Sequence, residues 1–536
     1  MGPTVDPPGA ARQPGGLCQR MTAHWLRHYS GSNPPPAPRW AIVAGLGIGL
    51  CLCVLLVVRS MLANDGFLSP DSTNYLTLAT NIAQGNGFQF AGDGRFPARL
   101  HRFAEWPVGY PFLIYLTSAA SGLSAFQASK LVNAGLLLAS AALLASRFGR
   151  HGPVMVLTLA FAAYLEIFAY TWSEVPFIFL LLAAAVLLAD IVADSGKGAL
   201  GRSLLLAGCC LGLFLCRYIG AFSLSLIAIA AIVSACRRRH AVAIANVLLL
   251  VAVGGCIWAY LHYNAVLTGF ATGMERIAPT DTPEARLAML GGAVWAELLL
   301  PLAEFHAGNW LDWLAALIEL AGVALVIRMV RHRYPRALAA LRLDPLSVSF
   351  LIVGLLYLAA IISLRWTNQF DPYNFRLLGP GTLLLAIGLL HTGLLSWPRA
   401  SRAMTTFTGA MSALSIGLAL VRTVAAPGPG YLPTVRTTAQ RYAGVPAGSV
   451  VVFGNDHLRY LRTDLFVTFP TCPPWFDGME TWNDFLSELD WRRPVFVNLD
   501  GPARDAGGCD ASVRAFLAAQ HMGSLVRLRP PAGGPG

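Results

Sequence analysis

The chain has 536 residues, of which 55% belong to the hydrophobic set that includes the aromatic residues and only 12% are charged. Soluble globular proteins carry about 25% charged residues, so this composition excludes an ordinary soluble enzyme, a disordered chain and a fibrous repeat. The formal net charge of +11 comes mostly from arginine in short loops between apolar segments. It therefore indicates membrane topology rather than nucleic-acid binding, and the sequence predicts a multi-span membrane protein.

Residues 1–39 are rich in Pro, Gly and Arg and are predicted to form a disordered cytoplasmic tail. Residues 40–424 form the predicted transmembrane core, because apolar runs near the ~20 residues of a span recur through it. Arginines fall in alternate short loops, which the positive-inside rule makes cytoplasmic. We therefore expect the N-terminus in the cytoplasm and the C-terminus on the other face of the cell (inner) membrane. The predicted α-helical spans, about 11 in number, are 40–62, 125–146, 153–170, 175–193, 203–217, 219–236, 241–263, 310–330, 346–364, 377–397 and 403–424.

The first extracytoplasmic loop, residues 63–124, contains two helical patterns. Apolar residues in 72–84 have helical spacing, which predicts an amphipathic helix lying along the membrane surface. Asp71 is the expected cap of that helix, with Ser72 as the competing choice. Residues 108–121 are apolar but too short to span, so they are expected to dip into the membrane or to pack on other spans.

Residues 425–536 have a different pattern and are predicted to form a small extracytoplasmic α/β domain. Apolar β-type runs alternate with helical patterns, which favours a mostly parallel sheet. The segment carries neither a GxGxxG nor a GxxxxGK motif, so nucleotide binding is not indicated. The strands are predicted at 449–453, 465–469, 494–499 and 524–528, and the helices at 434–443, 480–489 and 511–520.

Cys472 and Cys509 are the two cysteines that follow the last predicted span. Because disulfides persist outside the cytoplasm, we predict a bridge between them, worth at most ~4 kcal/mol by the chain-entropy estimate. Non-reducing peptide mapping after thiol blocking is expected to recover the linked peptides. Full alkylation of both cysteines would contradict the bridge and would weaken the external placement of this region.

Ionisable residues at the ends of apolar spans are the candidates for chemistry, because a membrane span tolerates few of them. Asp65 and Asp71 follow the first span directly. Asp71 is interpreted as a carboxylate held at the membrane surface as a general base, with a simple helix cap as the alternative.

Five fragments of the sequence resemble motifs of membrane glycosyltransferases of the GT-C superfamily. This superfamily includes the family-39 protein mannosyltransferases and the aminoarabinose transferases. All five fragments lie on the predicted external face in the expected order, within residues 40–424. The fragments are SerProAsp with AsnTyrLeuThrLeuAla and GlnGlyAsnGlyPhe within 69–88, TrpProValGlyTyrPro at 106–111, SerGluValPro at 173–176, CysArgTyrIleGly at 216–220 and AsnPheArgLeuLeuGlyPro at 374–380.

The resemblance implies a GT-C-like core and a sugar donor carried on polyprenyl phosphate. An acceptor hydroxyl on a glycan, a lipid or a protein would attack the anomeric carbon, and the configuration would invert. Asp71 would take the hydroxyl proton. Arg376 and Arg217 would contact the departing phosphate, with snorkelling at the interface as the alternative.

Other residues are expected to assist in substrate binding. Glu174 would orient an arginine or the acceptor, with a structural ion pair as the alternative. His101 and Arg102 would meet phosphate or acceptor, or else form a solvated loop cluster. Asp65 lies close to Asp71 in sequence, and Tyr75 would stack on a sugar ring unless it is simply an interfacial aromatic residue.

The sequence departs from the family pattern at the candidate base, because Ser72 rather than a second acid follows Asp71. No metal ligands are assigned, and the resemblance leaves only a weakly bound divalent cation as a possible cofactor. The alternative function is a transporter or flippase of lipid-linked sugars, which would share the spans and the basic pockets. Such proteins use inverted repeats and broken helices, and the sequence shows no internal repeat.

Overall fold

The computed structural model of the chain describes residues 37–92, 94–193, 198–335, 337, 341–426, 428–470, 481–499, 510–518 and 525–530. Almost all of the predicted tail lies outside these residues. Cys472 and Cys509 also lie outside them, so the bridge stays a prediction.

The described part of the chain up to residue 426 is mainly helical, as predicted for a multi-span membrane protein. Ten of its helices are long and apolar enough to cross a membrane. The pair Gly149–Ala160 and Ala162–Ala169 bends by 70°, and the number of spans reaches the predicted 11 if this pair counts as one broken span. The helices are α1 (Arg39–Leu62), α2 (Pro70–Ala83), α3 (Gly109–Ser121), α4 (Ala125–Arg147), α5 (Gly152–Leu157), α6 (Ala162–Ala169), α7 (Glu174–Ala193), α8 (Ala199–Cys216), α9 (Leu224–Cys236), α10 (His240–Thr268), α11 (Pro283–Leu298), α12 (Trp310–Arg333), α13 (Pro345–Thr367), α14 (Phe375–Ser396) and α15 (Ser401–Ala425).

The spans differ in how much of their surface the protein itself covers. In α14 and α7, 72% and 67% of the residues in the most apolar stretch are buried, compared with 22% in α10 and α12. Because the exposed side chains of α10 and α12 are apolar, they suit contact with lipid. Helices α7 and α14 are therefore central in the bundle, and both begin at the candidate site.

Helix α2 confirms the helix predicted after the first span, but two details of the prediction are wrong. Its N-cap is Ser69, whose hydroxyl accepts a hydrogen bond from the backbone N–H of Ser72 at 3.3 Å, so Asp71 lies in the first turn instead. The helix also lacks the exposed polar face of a surface helix, since residues 72–79 and 81 are all buried. Helix α3 and the C-terminal part of the chain both pack against it, and that tertiary packing covers the polar side chains.

The remaining parts of the two long loops pack over the same end of the bundle. In the first loop, β1 (Gln89–Ala91) and β2 (Leu100–Arg102) form an antiparallel hairpin. Helix α3 packs on α2 and α4, as predicted for residues 108–121. In the second loop, the backbone N–H of Gln369 donates to the carbonyl of Ile277 at 2.9 Å, which ties residues 269–282 to the end of α13.

The described C-terminal part confirms the predicted mostly parallel sheet. Strand β3 lies between β4 and β5 and is parallel to both, while β6 pairs antiparallel with β5. Sequence reasoning missed the short helix α17. The elements are α16 (Tyr431–Arg441), β3 (Val450–Val452), α17 (Asp456–Leu461), β4 (Phe466–Thr468), α18 (Trp482–Glu488), β5 (Val495–Asn498), α19 (Ala511–Ala518) and β6 (Leu525–Arg527).

The tip of the first loop is part of the core of this C-terminal sheet region. Ala98 is 3% exposed, and it packs in the same apolar cluster as Val450. Its backbone N–H donates to a carboxylate oxygen of Asp490 at 3.1 Å. The first loop thereby connects the membrane bundle, α2 and the sheet into one packed unit.

Candidate active site

Four segment ends meet where the central helices α7 and α14 begin. Asp71 lies in the first turn of α2, and Glu174 is the first residue of α7. Arg217 directly follows α8, and Arg376 is the second residue of α14. The sequence named all four residues as site candidates, and the structure brings them into direct contact.

Arg376 is the centre of this ion-pair network. Its Nη2 donates to a carboxylate oxygen of Asp71, and its Nε donates to Glu174. Arg217 forms an ion pair with the same Glu174 oxygen. The Glu174 side chain is 0% exposed, whereas that of Asp71 is 21% exposed. Of the two carboxylates, Asp71 is therefore the one that a substrate can reach. Glu174 is the buried counter-charge that positions both arginines.

An aromatic residue connects the network to the start of α2. The guanidinium carbon of Arg376 lies 4.7 Å from the ring centroid of Trp172, a cation–π contact. The indole Nε1–H of Trp172 donates to the hydroxyl of Ser69 at 2.7 Å. Because Ser69 caps α2, this contact fixes the first turn that carries Asp71.

Tyr75 lies one turn further along α2 and is completely buried. Its hydroxyl is 3.1 Å from the hydroxyl of Ser173, and its ring makes edge contacts with Trp106 and Tyr110. Burial, and then the charge of Asp71, raise the pKa of Tyr75 far above its ordinary value. Tyr75 thus packs against the segment that precedes Glu174, as a neutral hydrogen-bonding group.

Sequence reasoning missed two polar residues of α4 that hold the segment leading to Glu174. The Nζ of Lys130 donates to the carbonyl of Ala169 at 2.7 Å, and the amide of Asn133 donates to the carbonyl of Tyr170 at 2.7 Å. These carbonyls lie at the end of α6, where the helix leaves them without internal partners. The sequence offered a signal for this contact, because a Lys and an Asn three residues apart in an apolar span need polar partners inside the protein.

Asp371 was also missed. Its carboxylate lies 3.9 Å from the Nη1 of Arg376, in the loop between α13 and α14. Burial raises the pKa of the Asp371 carboxyl above its ordinary value, while Arg376 acts in the opposite direction. An acid five residues before a candidate arginine, at the same span end, was a signal that the sequence offered.

The contacts that the structure describes for the other three candidates lie elsewhere. Asp65 is exposed and accepts a hydrogen bond from the backbone N–H of Phe67 at 3.0 Å. His101 is an exposed residue of β2. The guanidinium of Arg102 lies over the rings of Phe88 and Tyr263, at 5.3 and 5.2 Å from their centroids.

The acids of the network contact guanidinium groups. Within the described part of the chain, no group of three or more His, Cys, Asp or Glu side chains is arranged to hold a metal ion.

Glu105, in the loop before α3, extends the electrostatics of the site. Burial raises the pKa of its carboxyl, Arg459 lowers it, and the nearby charge of Asp71 raises it again. The net effect is upward, so the protonated form of Glu105 is favoured more in the folded protein than in the unfolded chain.

We expect Glu105→Gln to remove a pH dependence from stability. A raised carboxyl pKa contributes stability below the unfolded value of about 4.3, and that contribution is lost as the pH rises through the folded value. The unfolding temperature of the wild type should therefore fall, relative to that of Glu105→Gln, as the pH rises above the unfolded carboxyl value of about 4.3. Glu275→Gln, which removes an exposed carboxylate from a nearby loop, is the control. If the unfolding temperatures of the wild type and Glu105→Gln change with pH in parallel, the expectation is contradicted.

Comparison with known proteins shows the fold. No protein-family model matches the chain, and no curated protein matches it either. Among solved structures, the chain is similar to ArnT from Cupriavidus metallidurans bound to undecaprenyl phosphate, with a TM-score of 0.51, 12% identity and coverage of 80% of this chain and 86% of that one. The apo form of the same protein gives a TM-score of 0.50, 12% identity and coverage of 83% and 91%.

A third similar structure is the oligosaccharyltransferase AglB from Archaeoglobus fulgidus in complex with an inhibitory peptide and a dolichol-phosphate, with a TM-score of 0.46, 10% identity and coverage of 89% and 70%. The ArnT likeness extends over most of both chains. The chain is therefore a multi-pass membrane protein with the fold of the GT-C membrane glycosyltransferases, and the resemblance read from the sequence motifs is confirmed at the level of fold.

Proposed function

We propose that this protein is a membrane glycosyltransferase of the cell (inner) membrane. It takes a sugar from a polyprenyl-phosphate donor and transfers it to a hydroxyl of an envelope glycan, glycolipid or protein on the extracytoplasmic face. The N-terminus lies in the cytoplasm and the C-terminal sheet region on the extracytoplasmic side. The observation that carries this proposal is the contact, in a GT-C fold, between Asp71 in the first turn of α2 and Arg376 at the start of the central helix α14.

In the proposed reaction, the oxygen of the acceptor hydroxyl attacks the anomeric carbon of the donor sugar. The new C–O bond forms as the bond from that carbon to the phosphate oxygen breaks, and the phosphate oxygen keeps the electron pair. Asp71 accepts the hydroxyl proton, a contribution of about 10²–10⁴ in rate. Attack opposite the leaving group inverts the configuration of the sugar.

The arginines have two tasks in this scheme. Arg376 orients Asp71 through one nitrogen and is itself held by Glu174 through another. The rest of its guanidinium fork, together with Arg217, stabilises the charge that develops on the departing phosphate. From the sequence, Arg376 was expected only to contact the phosphate. Its direct contacts with Asp71 and Glu174 support the second task, the orientation of Asp71.

Mass spectrometry of envelope glycans, lipids and proteins from a deletion strain tests the function. We expect loss of one sugar modification, and its return with the wild-type gene. Unchanged modification in an otherwise healthy strain would contradict the proposal. Accumulation of an intact lipid-linked sugar on the cytoplasmic face would instead favour the flippase alternative.

A further inference from the structure

Asp371 lies on the exposed side of the ion-pair network. One oxygen of its carboxylate is 3.9 Å from the Nη1 of Arg376, which is longer than a hydrogen bond of about 3.2 Å. Within the described part of the chain, no residue makes a hydrogen bond to this carboxylate. Its side chain is 40% exposed, compared with 21% for Asp71 and 0% for Glu174. Asp371 is therefore the acid beside Arg376 that is most open to a substrate.

The loop that carries Asp371 is anchored on both sides of it. The hydroxyl of Tyr373 donates to the carbonyl of Ile362 near the end of α13 at 3.3 Å. Asn374 caps α14 through its side-chain oxygen, and the backbone of Gln369 is bonded to the loop that follows α10. These contacts hold the carboxylate at a defined place next to the start of α14.

The nitrogens of Arg376 have different neighbours. Its Nε donates to Glu174, and its Nη2 donates to Asp71. Nη1 is the nitrogen that neither of these acids uses, and Asp371 is the described acid within 4 Å of it. A lipid phosphate that binds the remaining part of the guanidinium fork, as proposed above, therefore binds at the edge that Asp371 faces.

A sugar attached to that phosphate lies beside the same carboxylate. In the donor, the anomeric carbon is bonded directly to a phosphate oxygen, and the adjoining ring carbons carry hydroxyls. Hydroxyl groups donate hydrogen bonds without bringing charge, and a carboxylate has two oxygens that can accept from two of them at once. The exposed oxygens of Asp371 are thus suited to the hydroxyls of a donor sugar.

The charge of Asp371 also separates the donor from the lipid that transfer releases. The released lipid is a phosphate monoester with about −1.5 to −2 charges near neutral pH, whereas the donor is a diester with one ionisable oxygen fewer. The released lipid has also lost the hydroxyls that would bind the carboxylate. Repulsion by Asp371 is therefore stronger for the product, and no hydrogen bond to a sugar offsets it.

We propose that Asp371 binds hydroxyls of the donor sugar and disfavours the lipid phosphate that remains after transfer. The inference rests on the proposed function and narrows the donor to a neutral sugar with a free hydroxyl close to its anomeric carbon, because the charge of an acidic sugar would face this carboxylate. It gives Asp371 a substrate-binding task that is separate from the proton transfer assigned to Asp71.

The test measures binding to the full-length protein in phosphatidylcholine nanodiscs at about pH 8, well above the ordinary pKa of a carboxyl group. The probes are undecaprenyl phosphate and undecaprenyl phosphate that carries glucose, galactose or mannose. The variants are Asp371→Ala, Asp371→Asn and the control Glu304→Gln, which neutralises an acid that is 62% exposed in the loop between α11 and α12. Equal unfolding temperatures establish that the variants are folded.

The wild type and Glu304→Gln are expected to bind at least one sugar-linked lipid about tenfold or more tightly than undecaprenyl phosphate. Asp371→Ala should lower this affinity ratio by about tenfold or more without weakening the binding of undecaprenyl phosphate. Asp371→Asn keeps one uncharged acceptor oxygen, so it should lower the ratio less.

Three results would overturn the inference. They are a ratio in Asp371→Ala within about twofold of that in the wild type, a wild type that prefers none of the sugar-linked lipids, and an equal loss of affinity for both classes of lipid in Asp371→Ala. Each of these results leaves the proposed function in place as long as the wild type binds undecaprenyl phosphate. If the wild type binds neither undecaprenyl phosphate nor any sugar-linked lipid, the proposed donor class itself fails.

Discussion

Asp71→Asn is expected to lower the transfer rate by about 10²–10⁴ while leaving the protein folded in the membrane. The amide has nearly the shape of the carboxylate, but it cannot take the proton of the acceptor hydroxyl. Folding should survive because Arg376 keeps its contact with Glu174, so no buried charge is left alone. The measurement is turnover of a polyprenyl-phosphate sugar by the purified protein.

Two further variants distinguish loss of the base from general damage. Asp484→Asn makes the same chemical change at another aspartate in the first turn of a helix, and it should leave the rate unchanged. Asp71→Glu keeps a carboxylate but displaces it by one methylene, and it should retain more activity than Asp71→Asn. Turnover by Asp71→Asn within tenfold of the wild type would remove Asp71 from the role of general base.

The four residues of the ion-pair network were predictable because each is an ionisable group at the end of an apolar span. In such a sequence the number of permitted polar positions is small, so Glu174, Arg217 and Arg376 stand out. The spans and the sheet were predictable for a different reason. Long apolar runs and alternating strand patterns are local properties of the sequence.

The environment of α2 could not be predicted from its own sequence. Its polar residues have the spacing of a surface helix, and what buries them is packing by segments distant in the chain. Arg459 contacts Asn74 across 385 residues, and no local pattern encodes that pairing. Helix α17 has only six residues, too few for a helical period to be recognised.

The same reasoning explains the missed contribution of the C-terminal region. Read alone, residues 425–536 look like a separate unit on a linker. In the structure, the tip of the first loop enters the core of the sheet, with Gly94 so close that a Cβ there would lie 2.5 Å from Val450. The loop that carries Asp71 is thereby packed between the membrane bundle and the sheet.

Arg376→Ala is expected to abolish transfer and also to destabilise the protein, whereas Arg217→Lys should weaken donor use more mildly. Alanine removes one of the two guanidinium partners of Glu174, whose side chain is fully buried, and breaking a buried ion pair costs about 3–5 kcal/mol. Lysine at position 217 keeps a point charge beside Glu174 and loses only the planar fork. The measurements are the unfolding temperature and the affinity for undecaprenyl phosphate.

The double variant Arg376→Ala with Glu174→Gln separates the two effects of Arg376. Replacing Glu174 by its neutral amide removes the buried carboxylate that has lost one of its two guanidinium partners, so the unfolding temperature should return toward that of Glu174→Gln alone. Transfer should not return, because Asp71 still lacks the guanidinium that orients it. If the double variant recovers both stability and turnover, Arg376 has no role beyond neutralising Glu174, and the orientation of Asp71 must come from Ser69 and Trp172 at the start of α2.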